Sequence, residues 1–273
     1  MESLEKLRAD LPFWFDVMVG SFLSNGVRYI LIAGFAFILV HIVLATWYAH
    51  KRIQNHTPDG AQVRREMQYS IGTLIIFALL DIIMIWLNEI GVSKLYFDVA
   101  DYGWGYLCAS FFITVLIHDA YFYAIHRLMH VKPIYERVHK VHHTFTNPTP
   151  FAAYAFHPLE AALEFGVVVV LVLVMPIHIA VLIIFVVYML TMNSLAHLGF
   201  EFFPKGFARH PIGKWFLTAT HHNIHHRTFR YNFGFYFTFW DRVLGTNHPH
   251  YEDLFDEVAG REREAAAEEA LRT

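Results

Sequence analysis

Cysteine occurs once in these 273 residues, as Cys108 within an apolar run. An intrachain disulfide is therefore excluded, and a lone thiol says nothing about redox compartment. Charge is also scarce. Charged residues make up 16%, against the ~25% usual in soluble domains, a deficit expected of a chain solvated partly by lipid. No basic excess exists either: the net charge is −3 with histidine neutral, which points away from a nucleic-acid partner. The opening Met1-Glu-Ser-Leu-Glu-Lys lacks the basic start of a cleavable signal peptide, so insertion is expected to rely on the spans themselves. There is no strand-associated G-x-G-x-x-G for a nucleotide and no C-x-x-C-H for a c-type haem.

Apolar residues are plentiful, at 56%. A hydrocarbon core ~30 Å thick needs about 20 apolar helical residues. Tyr29–Tyr48 meets this without a charge, Ile71–Leu87 carries Asp81 inside it, and Trp104–Tyr123 ends at the first histidines. Asp81 is expected to face the bundle. Residues Ala161–Leu198 are apolar for nearly twice the length of one span, but Met175-Pro176 divides them, and Pro176 cannot continue a helical ladder. These residues are expected to form a helical hairpin. The fold class that follows is an all-α integral membrane protein with about four to five transmembrane or hairpin helices and a cytoplasmic, histidine-rich helical cap.

Loop charges set the expected orientation. Lys51, Arg52, Arg64 and Arg65 follow the first span; Arg127, Lys132, Arg137 and Lys140 follow the third; Lys205, Arg209, Lys214, Arg227, Arg230 and Arg242 follow the hairpin. The loop between the second and third spans holds Lys94 against Glu89, Asp98 and Asp101. All the basic segments then share the cytoplasmic face. The expected organisation is N-terminal spans over 1–103, a histidine-bearing domain over 104–250 and a charged tail over 251–273. Its end, Glu257–Thr273, reads as a solvated helix or a disordered terminus.

Histidine is the outlier: 19 in all, 14 of them from His118 to His226. Polar rings gain little from packing in lipid, so this density calls for a chemical reason. His126 and His130 stand at i, i+4 in H-R-L-M-H. His139, His142 and His143 form H-K-V-H-H, and His222, His225 and His226 form H-N-I-H-H, each expected to put three rings on one side of a helix. Pro133 suits the first turn of the second cluster's helix. His197 stands alone, four residues after Asn193. One H-x-x-x-H alone is more often a surface or core pair. Three clusters on one membrane face are hard to reach by chance, and the alternative, a polar network of about nine rings, has few acids to satisfy it. Nine imidazoles exceed one tetrahedral site, and two metals fit the count. Imidazole does not itself choose among iron, zinc, copper and nickel.

These motifs resemble the fatty acid hydroxylase and sterol desaturase superfamily of membrane di-iron oxidases. The resemblance runs from Asp119 to Thr246, through H-K-V-H-H-T-F-T-N-P-T-P-F-A-A-Y-A-F-H-P-L-E to Y-N-F-G-F-Y-F-T-F-W-D-R-V-L-G-T, and its P-T-P-F-A and W-D-R stretches are similar to sterol C5-desaturases in particular. It implies two iron ions, which zinc can replace in purified protein, on His126, His130, His139, His142, His143, His197, His222, His225 and His226. Asn193 would be a further ligand, by similarity to an asparagine that reaches iron through water. It also implies O₂ as co-substrate, a membrane lipid as substrate, and an external cytochrome b5-like or ferredoxin-like donor with its reductase. The membrane would be the bacterial inner membrane or the endoplasmic reticulum. Asp119, Glu160 and Asp241 are candidates for accepting ring N–H groups. His118, His157 and His221 are open between ligand and support, and His41, His50, His56, His178, His210, His248 and His250 are assigned to structure. The competing classes are a metal transporter or store, which would need ionisable residues along several spans, and a non-redox zinc hydrolase, which would need fewer ligands.

Overall fold

The computed structural model describes residues 11–262. Among the described residues four helices are long and apolar enough to cross a membrane: α1 (Leu11–Val43), α2 (Gly60–Glu89), α3 (Gly103–Met129) and α6 (Ile179–Ala196). Between α3 and α6 lie a short helical segment, α4 (residues 132–143), and α5 (Pro158–Val174). The cap beyond α6 is completed by α7 (Ala219–Thr228), α8 (Phe239–Val243) and α9 (Tyr251–Ala259). The protein is a multi-pass, all-α membrane protein. Ile71, Ile75, Leu79 and Ile83 on α2 and Phe112 and Leu116 on α3 form exposed apolar stripes, which only a lipid solvent would tolerate at this extent.

Helix α1 differs from expectation. It is already helical at Leu11, the first described residue, well before Tyr29, and it stops at Val43, short of Tyr48. An uncharged window cannot cross Arg28, yet the fold keeps that charge inside the bundle by pairing it. Arg28 Nη2 donates to Asn25 Oδ1 at 2.5 Å, and Asn25 Nδ2 donates to Asp81 Oδ2 at 2.9 Å on α2. The hairpin does break at Met175-Pro176. Its turn carries a two-residue strand, β2 (Ile177–His178), parallel to β1 (Leu95–Tyr96). His178 restarts the chain as α6 by accepting the Ala180 N–H through Nδ1.

These pairings fix which helix ends lie together. Lys94 N donates to Val172 O at 2.6 Å, and Tyr106 Oη donates to Pro176 O at 2.9 Å. The end of α2, the start of α3 and the hairpin turn therefore form one end of the bundle. At the other end His41 Nε2 donates to Leu198 O, Gln62 Nε2 to Asn147 O, and Thr149 Oγ1 to the buried Glu66 carboxylate. The finish of α1, the start of α2, the finish of α3, the start of α5 and the finish of α6 meet there, with α4 and α7. In a Cys108→Ser background, cysteines at Arg64 and Lys214 should therefore share one response to an impermeant thiol reagent, and one at Asp98 should give the opposite. Opposite responses at Arg64 and Lys214 would contradict the arrangement.

Residues 251–259 are not a loose tail. In α9, Tyr251, Phe255 and Ala259 pack with Ala208 and Ile224, making this helix part of the cap. The rest of the expected tail, from residue 263 on, lies outside the described residues, as does Met1–Lys6.

Candidate metal centre

Helical geometry divides the histidines in a way the spacing alone concealed. His126, His130, His139, His143 and His225 form one group and His142, His197, His222 and His226 another, with the facing ring nitrogens of each group all within 4.8 Å of one another. Each H-x-x-H-H motif serves both groups. The i, i+4 pair stays together (His139 with His143, His222 with His226), and the i+3 ring crosses to the other. Neighbouring residues on a helix point about 100° apart, so His142 and His143 cannot aim at one point, nor can His225 and His226. The expectation of three rings on one side of each helix is replaced by a two-and-one split. Two adjacent residues thus straddle two adjacent centres. A π-helical turn over Tyr135–His139 precedes Lys140–His143, and such bulges recur at functional sites.

Local sequence sets these frames. Thr218 caps α7 by accepting the His221 N–H through Oγ1 at 3.1 Å, and Glu201 binds the Thr220 N–H at 3.1 Å and its hydroxyl at 2.7 Å. Glu201 went unremarked in the sequence, being a lone acid after an apolar run. It is fully buried and ties the segment after His197 to the first turn of α7. His157 caps α5 by accepting the Leu159 N–H, and Pro158 at the first helical position delivers Glu160 one turn in.

The orientation of the rings tests whether they fit a metal. Five of them donate Nδ1–H to an acceptor outside the groups: His126 to Phe233 O at 2.9 Å, His139 to Glu160 Oε1 at 2.6 Å, His197 to Asn193 O at 2.7 Å, His225 to Tyr231 O at 2.7 Å and His226 to Phe145 O at 3.0 Å. A neutral imidazole has one N–H, so in these rings Nε2 is a bare lone pair. Nε2 of His126 nevertheless lies 3.1 Å from Nε2 of His139. Nε2 of His143 is 3.1 Å from those of both His130 and His225, and Nε2 of His222 is 3.1 Å from those of both His197 and His226. One proton cannot satisfy two such contacts, and the His126–His139 contact has none to offer. Facing lone pairs repel unless a cation lies between them. Ligands about 2.1 Å from one ion and 90–109° apart are separated by about 3.0–3.4 Å, which matches these contacts. The residues fit a metal in each group.

Electrostatics agrees. Burial, followed by the charge of neighbouring rings, holds His139, His143, His222, His225 and His226 well below the ordinary histidine range. His197 is lowered to about 4 by burial, partly offset by its bond to Asn193 O. The rings are neutral, the form that binds metal.

The acids behave unequally. Glu160, completely buried, accepts a ring N–H as expected. Asp119 and Asp241 hold backbone instead. Asp119 takes the N–H of Tyr236 at 2.9 Å and Phe237 at 3.2 Å, and Asp241 takes those of Phe233 at 2.8 Å and Gly234 at 2.7 Å. They fix the 233–237 loop whose Phe233 carbonyl orients His126. The loop is tight: a Cβ on Gly234 would come 2.3 Å from Phe237 O. Glu136-Arg-Val-His139 has the Glu-x-x-His spacing of bundle di-iron proteins, but Glu136 is half-exposed and pairs with Lys140 at 2.7 Å, leaving only His139 at the centre. Asn193 Nδ2 donates to Ala153 O at 2.7 Å while its backbone carbonyl holds His197. His118 lies apart, boxed by Phe185 and Tyr236. His221 Nε2 is 3.7 Å from Asp241, and His250 is exposed beside Asp253.

Fold and site together define a multi-pass membrane protein with two adjacent all-imidazole sites able to hold metal ions at one end of its bundle. The family model for fatty acid hydroxylase matches residues 111–246. The chain is 34% identical to lathosterol oxidase of Mus musculus over 206 residues, covering 74% of this chain and 67% of that protein. It is 31% identical to a Delta(7)-sterol 5(6)-desaturase of Gibberella zeae over 224 residues, covering 80% and 68%. It is 33% identical to methylsterol monooxygenase 1 of Gallus gallus over 144 residues, covering 53% and 48%. No solved structure matches the chain significantly. The chain belongs to the fatty acid hydroxylase family and, within it, is of the sterol desaturase type.

Proposed function

We propose that this protein is a membrane oxidoreductase that oxidises a C–H bond of a sterol-like lipid with O₂ at a pair of iron ions, by desaturation or hydroxylation. The observation that carries the reading is the division of nine imidazoles, eight of them buried and His130 partly so, into two facing groups. The relatives, named as sterol oxidases, desaturases and a monooxygenase, supply the substrate class. His126, His130, His139, His143 and His225 would hold one ion, and His142, His197, His222 and His226 the other. Bound iron supplies the reduction of O₂ and the removal of hydrogen from an unactivated carbon.

The rest of the chain positions and shields. Glu160 and the carbonyls of Phe233, Tyr231, Phe145 and Asn193 keep the Nδ1–H of five rings, His139, His126, His225, His226 and His197, turned outward, so that their Nε2 lone pairs converge. Asn193 acts here as a positioning residue rather than a ligand. Burial keeps the rings unprotonated and bulk water out. Either outcome consumes two electrons beyond those taken from the lipid, which an external cytochrome b5-like or ferredoxin-like carrier with its reductase would deliver at the histidine end. The basic residues gathered at that end support a cytoplasmic location, in a bacterial inner membrane or the endoplasmic reticulum.

Comparison of lipid extracts from a sterol-producing host with and without the expressed chain, grown in air or without oxygen, tests the reading. A new desaturated or hydroxylated sterol that depends on both the chain and air is expected. Metal uptake into cells with no change in lipids would favour a transporter and overturn the proposal.

A further inference from the structure

The cap beyond α6 carries an apolar face that the metal centre does not use. Val243 is 59% exposed and Ile212 67%, as open as Leu116 in the lipid-facing stripe of α3, at 60%. Trp215, Phe216, Phe239 and Leu244 are exposed with them. Two segments distant in sequence build this face. Thr238 N donates to Trp215 O at 2.9 Å, and Arg242 Nε donates to Lys214 O at 3.1 Å. The rings of Trp215 and Phe239 lie 6.1 Å apart, and those of Phe216 and Phe237 5.7 Å. Phe239 and Val243 stand at i, i+4 on α8 and so share one side of it. Trp240, between them, stacks on Tyr123 of α3 with ring centroids 6.2 Å apart.

Helix α3 measures the depth at which this face sits. Trp104, exposed at its start, marks one membrane interface. At 1.5 Å per residue Asp119 lies about 22 Å further along the helix and Tyr123 about 28 Å. Both fall within a hydrocarbon core ~30 Å thick, and any tilt of α3 sets them deeper. Asp119 holds the N–H of Phe237, and Tyr123 carries Trp240, so the chain enters α8 at hydrocarbon depth. Charge starts just beyond. Arg127, the only lysine or arginine of α3, stands about 6 Å past Tyr123, and Lys214 Nζ lies over the Trp215 ring at 4.8 Å. Apolar side chains below, aromatic rings at the boundary and cations above are the pattern of a segment lying in an interface. An apolar face this open to water would be an association hazard.

We infer that residues 212–216 and 237–244 form a second membrane contact besides the spans: a monotopic anchor seated in the leaflet on the histidine side. Its occupant is the phospholipid itself, with Phe216, Phe239, Val243 and Leu244 among acyl chains and Lys214 and Arg127 at the phosphates. Continuity with the lipid-facing stripe of α3 selects lipid over a protein partner. The anchor holds the cap down on the bilayer, with His126 only about 4.5 Å beyond Tyr123 along α3.

Spin labelling of the full chain in phosphatidylcholine vesicles tests this. In a Cys108→Ser background, single cysteines at Phe216, Phe239, Val243 and Leu244 would each carry a nitroxide. Each is read for collision with O₂, which concentrates among acyl chains, and with a water-soluble nickel chelate. Labels at Leu116 and at Glu136, exposed on α4, give the lipid and water references. The four cap labels are expected to favour O₂ over nickel, as Leu116 does, with the ratio clearly shifted from that at Glu136. All four replace exposed side chains, so helical content should be unchanged, and each position reads independently of the others. A nickel-dominated response like that of Glu136 would overturn the anchor. Shielding from both reagents would also overturn it, in favour of a cover made by a second copy of the chain.

Discussion

Alanine at His142 or at His225 is expected to abolish lipid oxidation, while alanine at His250 leaves it intact. The two sensitive positions belong to different groups, so each variant empties a different centre. His142 faces His197 and His226, and His225 faces His143 across 3.1 Å. Losing one imidazole leaves the remaining lone pairs converging on a site with too few ligands, and activity should fall more than ~100-fold, beyond the 10–100-fold typical of changes one shell further out. His250 carries the same side chain but sits exposed next to Asp253. Sterol product measured at matched expression decides the matter. Equal activity in all three variants would refute the assignment of ligands.

Glu160→Gln should cost about 10–100-fold in metal affinity or activity while leaving the fold in place. Its Oε1 accepts the His139 Nδ1–H at 2.6 Å. A glutamine keeps the shape and can still present a carbonyl to that N–H, but it loses the negative charge that raises the basicity of the ring and helps balance a doubly charged ion. Glu160→Ala should be worse, because His139 would then have a buried donor without an acceptor. A metal titration by calorimetry, alongside thermal unfolding of each variant, separates the two effects. Unchanged metal affinity in Glu160→Gln would show that the carboxylate serves only to cap the ring.

Much of this architecture was legible in the residues. The hairpin break needed only Pro176, and hydropathy sufficed for α2, α3 and α6, because an apolar helix long enough to cross lipid has few alternatives. The early part of α1 was not legible: Arg28 resembles a span boundary until Asp81 of α2 is linked to it through Asn25, one turn earlier on α1. The nine imidazoles stood out by type and spacing, but their division did not. Whether His142 joins His139 or His197 depends on where α6 and α7 come to rest. The carbonyls that orient the rings were invisible for the same reason, since Phe233, Tyr231 and Phe145 act through backbone atoms that every residue possesses. Asp119 and Asp241 stand near the clusters in sequence and are candidates for the rings, with a structural role equally open; the loop bearing Phe233 takes them.

The central claim is that the chain holds two adjacent metal ions on imidazole. Metal analysis of protein loaded anaerobically with ferrous iron, together with its absorption spectrum, tests it most directly. Two ions per chain are predicted for the wild type and about one for His142→Ala and for His225→Ala, with nitrogen-dominated ligation. One ion in the wild type, or a spectrum dominated by carboxylate ligands, would contradict it.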